Sequence, residues 1–259
     1  MVNEFEAYGI VQNHDIQIWE KIESIIREND LDLRYVLESF PIYVRRVNLS
    51  RFLMHYELFK LAVDVCGSFV ECGVYRGSSL LTWAKLFEIF RPGDRSRKVI
   101  GFDNFQGFTS IHEKDGPLVK ESSKELGGWN PSAHYEELLK HIDLFQEDCF
   151  IPRARNRIEL VVGDICVTAP KWVQENNGVR ICLLHLDCDL YEPTMAALNA
   201  FYPLVVNGGV VILDEYGMSQ WGGEASAFDE YIEKNGFSRP KMKTMSLYNN
   251  PSAYFIKGE

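Results

Sequence analysis

No two cysteines stand in the Cys-x-x-Cys spacing of zinc ribbons and dithiol redox sites, although the chain has six: Cys66, Cys72, Cys149, Cys166, Cys182 and Cys188. Several lie in apolar runs, where cysteine behaves as a small hydrophobe. Disulfides are therefore not expected, and the pattern fits a reduced, cytoplasmic protein. No apolar stretch reaches the roughly 18–20 residues of a membrane span, so no membrane partner is expected. The opening MVNEFEAYGIVQNHD lacks both a basic start and an apolar core, so a secretory leader is not expected. Basic residues number 27 against 37 acidic ones, a formal net charge of −10. Phosphate neutralisation needs clustered cations, so nucleic acid is not expected as a partner. The dinucleotide fingerprint Gly-x-Gly-x-x-Gly is missing, which counts against a nicotinamide-dependent oxidoreductase. There is no internal repeat and no low-complexity tract.

What remains is an ordinary globular composition, 46% hydrophobic and 25% charged over 259 residues, enough for a sizeable core. Residues 1–66 read as a helical extension. HDIQIWEKIESIIREN places Ile16, Trp19, Ile22, Ile25 and Ile26 on one face, and LSRFLMHYELFKLAVDV carries Leu53, Tyr56, Leu58, Phe59 and Ala62, with Ser50 as an expected cap. Pro41 breaks the pattern between them. From Gly67 strands and helices alternate: SFVECGV, KVIGFDNF, NRIELVVGD, ICLLHLD and GGVVILDEY read as strands. This rhythm predicts a parallel α/β sheet with helices on both faces. KMKTMSLY and SAYFIKG, joined by Asn-Asn-Pro, predict an antiparallel C-terminal hairpin. The polar segment at about 109–157 falls outside the rhythm and is read as a lid-like insertion in a catalytic domain spanning 67–259.

Ligands of open α/β sheets sit at the carboxyl ends of the strands. Here every such end carries an acid: Glu71, Asp103, Asp164, the pair Asp187 and Asp189, and the pair Asp214 and Glu215. Capping alone would draw on Ser, Thr and Asn as often as Asp. Asp187 and Asp189 are expected on one strand face with Cys188 on the other. Neighbouring carboxylates repel unless a positive charge lies between them. The rim therefore predicts a cation: a divalent ion such as Mg²⁺, which takes a few carboxylates and keeps other positions for water and substrate, a sulfonium, or both. Asp187, Asp214 and Glu215 are the candidate metal ligands. In ECGVYRGSS, Gly73 and Gly77 would let a ligand approach the backbone, and Ser78 and Ser79 would open a helix whose N–H groups are donors. Asp103, at the second strand end, is placed to accept ribose hydroxyls.

FVECGVYRGSSLL, GFDNFQGF and LHLDCDLYEPTMAALNAFYPLVVNGGVVILDEYG together resemble the macrocin O-methyltransferase (TylF-type) family over roughly Asp64–Gly217. The resemblance implies a class I methyltransferase Rossmann-like sheet, mostly parallel, and an S-adenosylmethionine- and Mg²⁺-dependent enzyme that methylates sugar hydroxyls. It implies that Glu71, Gly73, Tyr75, Arg76, Gly77, Ser78 and Ser79 hold the methionine part of the cofactor. Asp103 would bind the ribose, Asp164 and Ile165 would flank the adenine, and Phe105 and Asp187 would also border the cofactor. Asp187, Asp214 and Glu215 would bind the metal, and Asp189 would be the general base. The family usually has Asp-Asp where this chain has Asp214-Glu215, and glutamate is one methylene longer. The implied partner is a small sugar-containing molecule: a natural-product glycoside, a nucleotide-sugar or a polysaccharide precursor. A homodimer or higher homo-oligomer would form through the N-terminal helices. Tyr191, Tyr216, Trp221 and Trp129 could line a sugar site. His112, His134, His141 and His185 are alternative bases, with His185 expected to be a satisfied core histidine. Arg45, Arg46 and Arg51 could meet an anionic group. A metal-dependent catechol or phenol methyltransferase, and a non-catalytic binding protein on the same scaffold, stay open as alternatives.

Overall fold

Helix and strand follow the two hydrophobic periods of the sequence, 3.6 in the first quarter and mixed thereafter. The computed structural model describes residues 4–94, 96–117, 123–152, 156–245 and 251–259, with side chains from residue 13 onward. The chain divides into two compact units, residues 1–51 and 52–259. The first holds α1 (Glu4–Glu28), α2 (Leu33–Glu38), α3 (Phe40–Tyr43) and the start of α4 (Arg46–Ala62). Asp32 caps α2 by accepting the N–H groups of Arg34 and Tyr35 at 2.9 and 3.3 Å. Pro41 lies in the first turn of α3, where its missing N–H is an orphan anyway. Ser50 caps nothing. It lies inside α4, and its hydroxyl donates back to the Arg46 carbonyl at 2.8 Å. The unit boundary falls before the expected residue 66, because Met54, Leu58, Phe59 and Ala62 of α4 are buried in the core of the second unit.

The second unit is built on six strands: β1 (Ser68–Cys72), β2 (Val99–Asp103), β3 (Ile158–Val162), β4 (Ile181–Leu186), β5 (Val205–Leu213) and β6 (Ala253–Ile256). Their order is β3-β2-β1-β4-β5-β6, all parallel except the β5–β6 pair. The crossovers carry α5 (Ser78–Phe90), α6 (Tyr135–Asp148), α7 (Ile165–Glu175), α8 (Tyr191–Phe201) and α9 (Gly222–Lys234). Both faces are covered, so the strands read as continuous apolar runs. Phe69, Val99, Leu183, Val210 and Ile212 pack towards α4, α5 and α6. Val70, Ile100, Leu184, Val211 and Leu213 pack towards α7, α8 and α9.

Two expectations change. The segment 109–157 is not one excursion: its second half is α6, which buries Leu138, Ile142 and Phe145 at helical spacing as the β2–β3 crossover. Of the described residues before α6, 104–117 and 123–134 lie outside the regular helices and strands of the crossovers, with a 3-10 turn at Glu113–Asp115 and another at Ser132–His134. The C-terminal hairpin is represented by β6 antiparallel to β5 and by a bridge between Lys243 and Tyr254; residues 246–250 lie outside the described residues. Among the described residues no helix is long and apolar enough to cross a membrane.

Candidate active site

The register aligns the acid-bearing ends of β1, β4 and β5. Glu71 lies beside His185, and His185 lies beside Ile212, so Asp187 and Asp214 follow one step beyond paired Leu186 and Leu213. The side chains of Glu71 and His185 point to the α4–α5 face, away from the cluster that holds Cys72, Leu186 and Leu213. Ligand atoms of His185, Asp187 and Asp214 come within 4.8 Å of one another. Nε2 of His185 is 3.1 Å from Asp214 Oδ1 and 3.9 Å from Asp187 Oδ2.

Asp189 reaches the rim by a route other than the one expected. β4 stops at Leu186, so strand alternation does not govern Asp187–Asp189. The chain turns instead, with the Leu190 N–H donating to the Cys188 carbonyl at 2.6 Å and Asp189 left-handed at φ 61°. Aspartate tolerates this conformation better than most residues. Tyr75 (φ 51°) and Phe105 (φ 54°) share the left-handed conformation on neighbouring loops. Strained non-glycine backbone of this kind concentrates in binding sites.

The acids crowd one another. Glu215 is buried, and its carboxyl is pushed well above the ordinary range, first by burial and then by Asp214, Asp189, Glu224 and Asp187. Glu215 is not among the three residues that converge on one point; it stands next to them. Glu224, on the first turn of α9, was not foreseen. It is fully buried, accepts the N–H groups of Asp214 (3.2 Å) and Glu215 (3.0 Å), and is itself pushed well up by burial and by Asp214. The signal was a glutamate nine residues after an Asp-Glu pair, at a helix start where acids usually face solvent. Burial disfavours charge on His185, but the surrounding carboxylates of Asp214, Glu71 and Asp187 outweigh it, and its pKa is pushed up to about 10. It is not the satisfied core histidine expected: among the described residues its Nδ1 has no hydrogen-bond partner.

On the β1 side, Glu71 is buried, with one oxygen accepting Ser79 Oγ at 3.0 Å and the other Trp83 Nε1 at 2.9 Å. Gly73 (φ +94°) is required first by the protein, because a Cβ there would overlap the Asp187 carbonyl. Gly77 (φ +82°) starts α5 without a side-chain cap hydrogen bond. Tyr75, Arg76 and Ser78 are exposed around this turn, while Ser79 is buried. Asp103 accepts the N–H groups of Val74 and Tyr75 (both 2.8 Å) and of Phe105 (2.6 Å). Its carboxylate ties the β1 loop to the β2 loop. Asp164 caps α7 by accepting the Cys166 N–H at 2.9 Å, and Ile165 beside it is buried.

The segment before α6 is fastened to α8 and α9. Asp115 is buried and accepts the N–H groups of Tyr191 and His112, both at 2.6 Å. Lys124 is also buried; its ammonium donates to the carbonyls of Asp115 and Gln220 and lies 5.1 Å from the Trp221 ring. Burial lowers its pKa against the pull of Asp115 and Asp189. Tyr191 and Tyr216 direct their hydroxyls to Glu230 (2.9 Å) and Asp229 (3.3 Å) of α9. Trp129 meets Tyr75 edge-on at 5.4 Å over the β1 loop. His134 and His141 pair with Glu137 on α6, and His112 stacks on Tyr191 at 4.6 Å.

This mostly parallel sheet with an antiparallel β5–β6 edge and a glycine turn after β1 is the fold of class I S-adenosylmethionine-dependent methyltransferases. The profile of the macrocin O-methyltransferase (TylF) family matches residues 60–248, and the chain belongs to that family of O-methyltransferases. Mycinamicin III 3''-O-methyltransferase of Micromonospora griseorubida is 27% identical over 190 residues, 72% of this chain and 68% of that protein. A Streptomyces olivaceus 4'-O-methyltransferase acting on 8-demethyl-8-(2,3-dimethoxy-α-L-rhamnosyl)-tetracenomycin C is 26% identical over 221 residues, 82% of this chain and 77% of the other. The crystal structure of the calicheamicin methyltransferase CalS11 superposes with a TM-score of 0.85 at 26% identity, covering 95% of this chain and 93% of that one.

Proposed function

We propose that this chain transfers the methyl group of S-adenosylmethionine to a sugar hydroxyl of a natural-product glycoside or a nucleotide-sugar, with Mg²⁺ or another divalent cation held at the sheet rim. The observation that carries this reading is the convergence of Asp187 and Asp214 with His185 within 4.8 Å, beside Asp189 on its left-handed turn. Acids pushed up first by burial and then by one another are a donor set that a hard divalent ion would relieve. The Streptomyces olivaceus relative acts, by its name, on a rhamnosyl-bearing tetracenomycin, which supports a sugar acceptor.

Bound together, cofactor and cation would supply an electrophilic methyl group and a Lewis acid that lowers the pKa of a hydroxyl. Asp187, Asp214 and the adjacent Glu215 would hold the cation. Asp189 would accept the hydroxyl proton, its turn keeping the carboxylate at the rim rather than in the sheet. Glu71, Gly73, Tyr75, Arg76, Gly77, Ser78 and Ser79 would seat the methionine end, with the open start of α5 facing its carboxylate. Asp103 and Phe105 would border the ribose, and Asp164 and Ile165 the adenine. Trp129 and Trp221 would pack on the sugar. Exposed Ile16, Ile25, Leu33, Leu37 and Ile42 in the N-terminal unit support a homo-oligomer.

The test is methyl transfer from S-adenosylmethionine to a panel of nucleotide deoxysugars, deoxysugar glycosides and catechols, followed by mass spectrometry. Product is expected from sugars only, lost after chelation and restored by Mg²⁺. Turnover confined to catechols, or unchanged by chelation, would refute the reading.

A further inference from the structure

His185 stands between two sets of carboxylates that the proposed function gives to different ligands. Glu71 is its neighbour across the β1–β4 register, and that carboxylate is pinned by Ser79 and Trp83 at the start of α5. On its other side are Asp214, 3.1 Å from Nε2, and Asp187, 3.9 Å away. The gap on the Glu71 side is not closed. Nδ1 lies 3.5 Å from Glu71 Oε2, beyond a normal hydrogen bond, and has no hydrogen-bond partner among the described residues, although the side chain is fully buried. Buried polar atoms are seldom left this way. The ring is walled by His55 and Trp83, with centroids 5.9 and 6.2 Å away. An imidazole is rigid, so a displacement of one nitrogen is carried to the other.

We propose that His185 is a positioning residue that couples the cation half of the site to the cofactor half. This rests on the reading that Glu71 belongs to the cofactor side and that Asp187 and Asp214 hold a cation. A divalent ion shared by Asp187 and Asp214 takes up the negative charge that draws Nε2. The ring then closes on Glu71, and Glu71 holds Ser79 and the first turn of α5 in the place the cofactor requires. The same linkage runs backwards: a cofactor that fixes Glu71 draws the ring from Asp214 and frees that carboxylate for the ion. Coupling through one contiguous element with two arrangements must be reciprocal.

Calorimetry on the full chain tests this, with S-adenosylhomocysteine and Mg²⁺ titrated singly and each in the presence of the other at saturation. In the wild type each ligand is expected to tighten the other by one common factor, about 10-fold. In His185→Gln both ligands are expected to bind still, with that factor reduced to within about 2-fold of unity. Glu71→Gln keeps the size of the Nδ1 partner but removes its charge, and is expected to lose the coupling too; it carries the test if the histidine variant does not fold. Wild type that binds both ligands with no mutual effect overturns the inference and leaves the proposed function standing. Variants that keep the common factor overturn it as well. Loss of Mg²⁺ binding in His185→Gln at unchanged S-adenosylhomocysteine affinity would make the histidine a direct ligand and overturn the positioning role. Wild type that binds no S-adenosylhomocysteine would remove the functional reading itself, and the inference with it.

Discussion

Glu224 separates the structural demands of the acidic rim from its charge. Its two carboxylate oxygens accept the N–H groups of Asp214 and Glu215, so it holds the end of β5 in shape. Glu224→Ala leaves two buried N–H groups without their acceptor, at about 1–3 kcal/mol each. Part of that loss is offset, because burial and Asp214 already push the Glu224 carboxyl well up and its removal relieves the crowding. A net loss of about 2–4 kcal/mol is expected, which for a domain of this size lowers Tm by about 5–15 °C. Glu224→Gln keeps an acceptor oxygen of the same reach and removes the charge. Its amide nitrogen, a donor, then faces one of the two N–H groups, so in chelator it is expected to be less stable than the wild type but more stable than the alanine variant. Thermal and urea unfolding of the three proteins in chelator is the assay. Mg²⁺ affinity, read in parallel, is expected to fall about 10–100-fold in the alanine variant, because the carboxylates that Glu224 supports lose their orientation. An alanine variant as stable as wild type, or a glutamine variant as unstable as alanine, would refute the reasoning.

The pH dependence of stability follows from raised pKa values of both kinds. Glu215 and Glu224 rise above the ordinary 4.5, so the stability tied to their protonated forms is present below that value and lost as pH climbs through the raised ones. His185 adds stability that is full below 6.5 and lost as pH climbs through about 10; metal-free melts from pH 5 to 10 should therefore fall with pH, and Mg²⁺ should flatten the fall. Asp189→Asn should lower kcat by about 10²–10⁴-fold while calorimetry finds S-adenosylhomocysteine affinity unchanged; an unchanged kcat would remove Asp189 as the base. Gly73→Ala should abolish both S-adenosylhomocysteine and Mg²⁺ binding, because its Cβ would overlap the Asp187 carbonyl and φ is +94°; a soluble variant that binds both ligands normally would refute the close approach as essential.

Periodicity alone was enough for much of this molecule. The α5 pattern SSLLTWAKLFEIF coincides with the helix Ser78–Phe90, and the run ICLLHLD is β4 but for Asp187, the strand ending at Leu186. The acids at the strand ends were legible because an α/β sheet brings those ends to one rim wherever the helices go. α6 was equally legible, since Leu138, Ile142 and Phe145 repeat at helical spacing, but the polar, Gly- and Pro-bearing stretch before it masked the change of period. Ser50 misled because serine is both a cap residue and tolerated within a helix, where its hydroxyl turns back to a carbonyl.

Tertiary structure alone decided the roles of the rim residues. Asp187 and Asp189 look like one strand face in sequence, yet the strand has ended and a left-handed turn presents Asp189. Gly73 looks like a ligand contact, yet its missing Cβ first makes room for Asp187. Glu224 looks like a solvated helix acid, yet it supports two backbone groups of the rim. His185 looks like core, yet it lies between Glu71 and Asp214. The physical reason is one of range. Which residues form strands and helices depends on neighbours a few positions away, so the sequence carries it directly. Whether a carboxylate binds a ligand, caps a helix or braces a loop depends on groups far along the chain, such as Asp214 to His185 or Asp187 to Gly73, that only the closed sheet brings within a few ångströms.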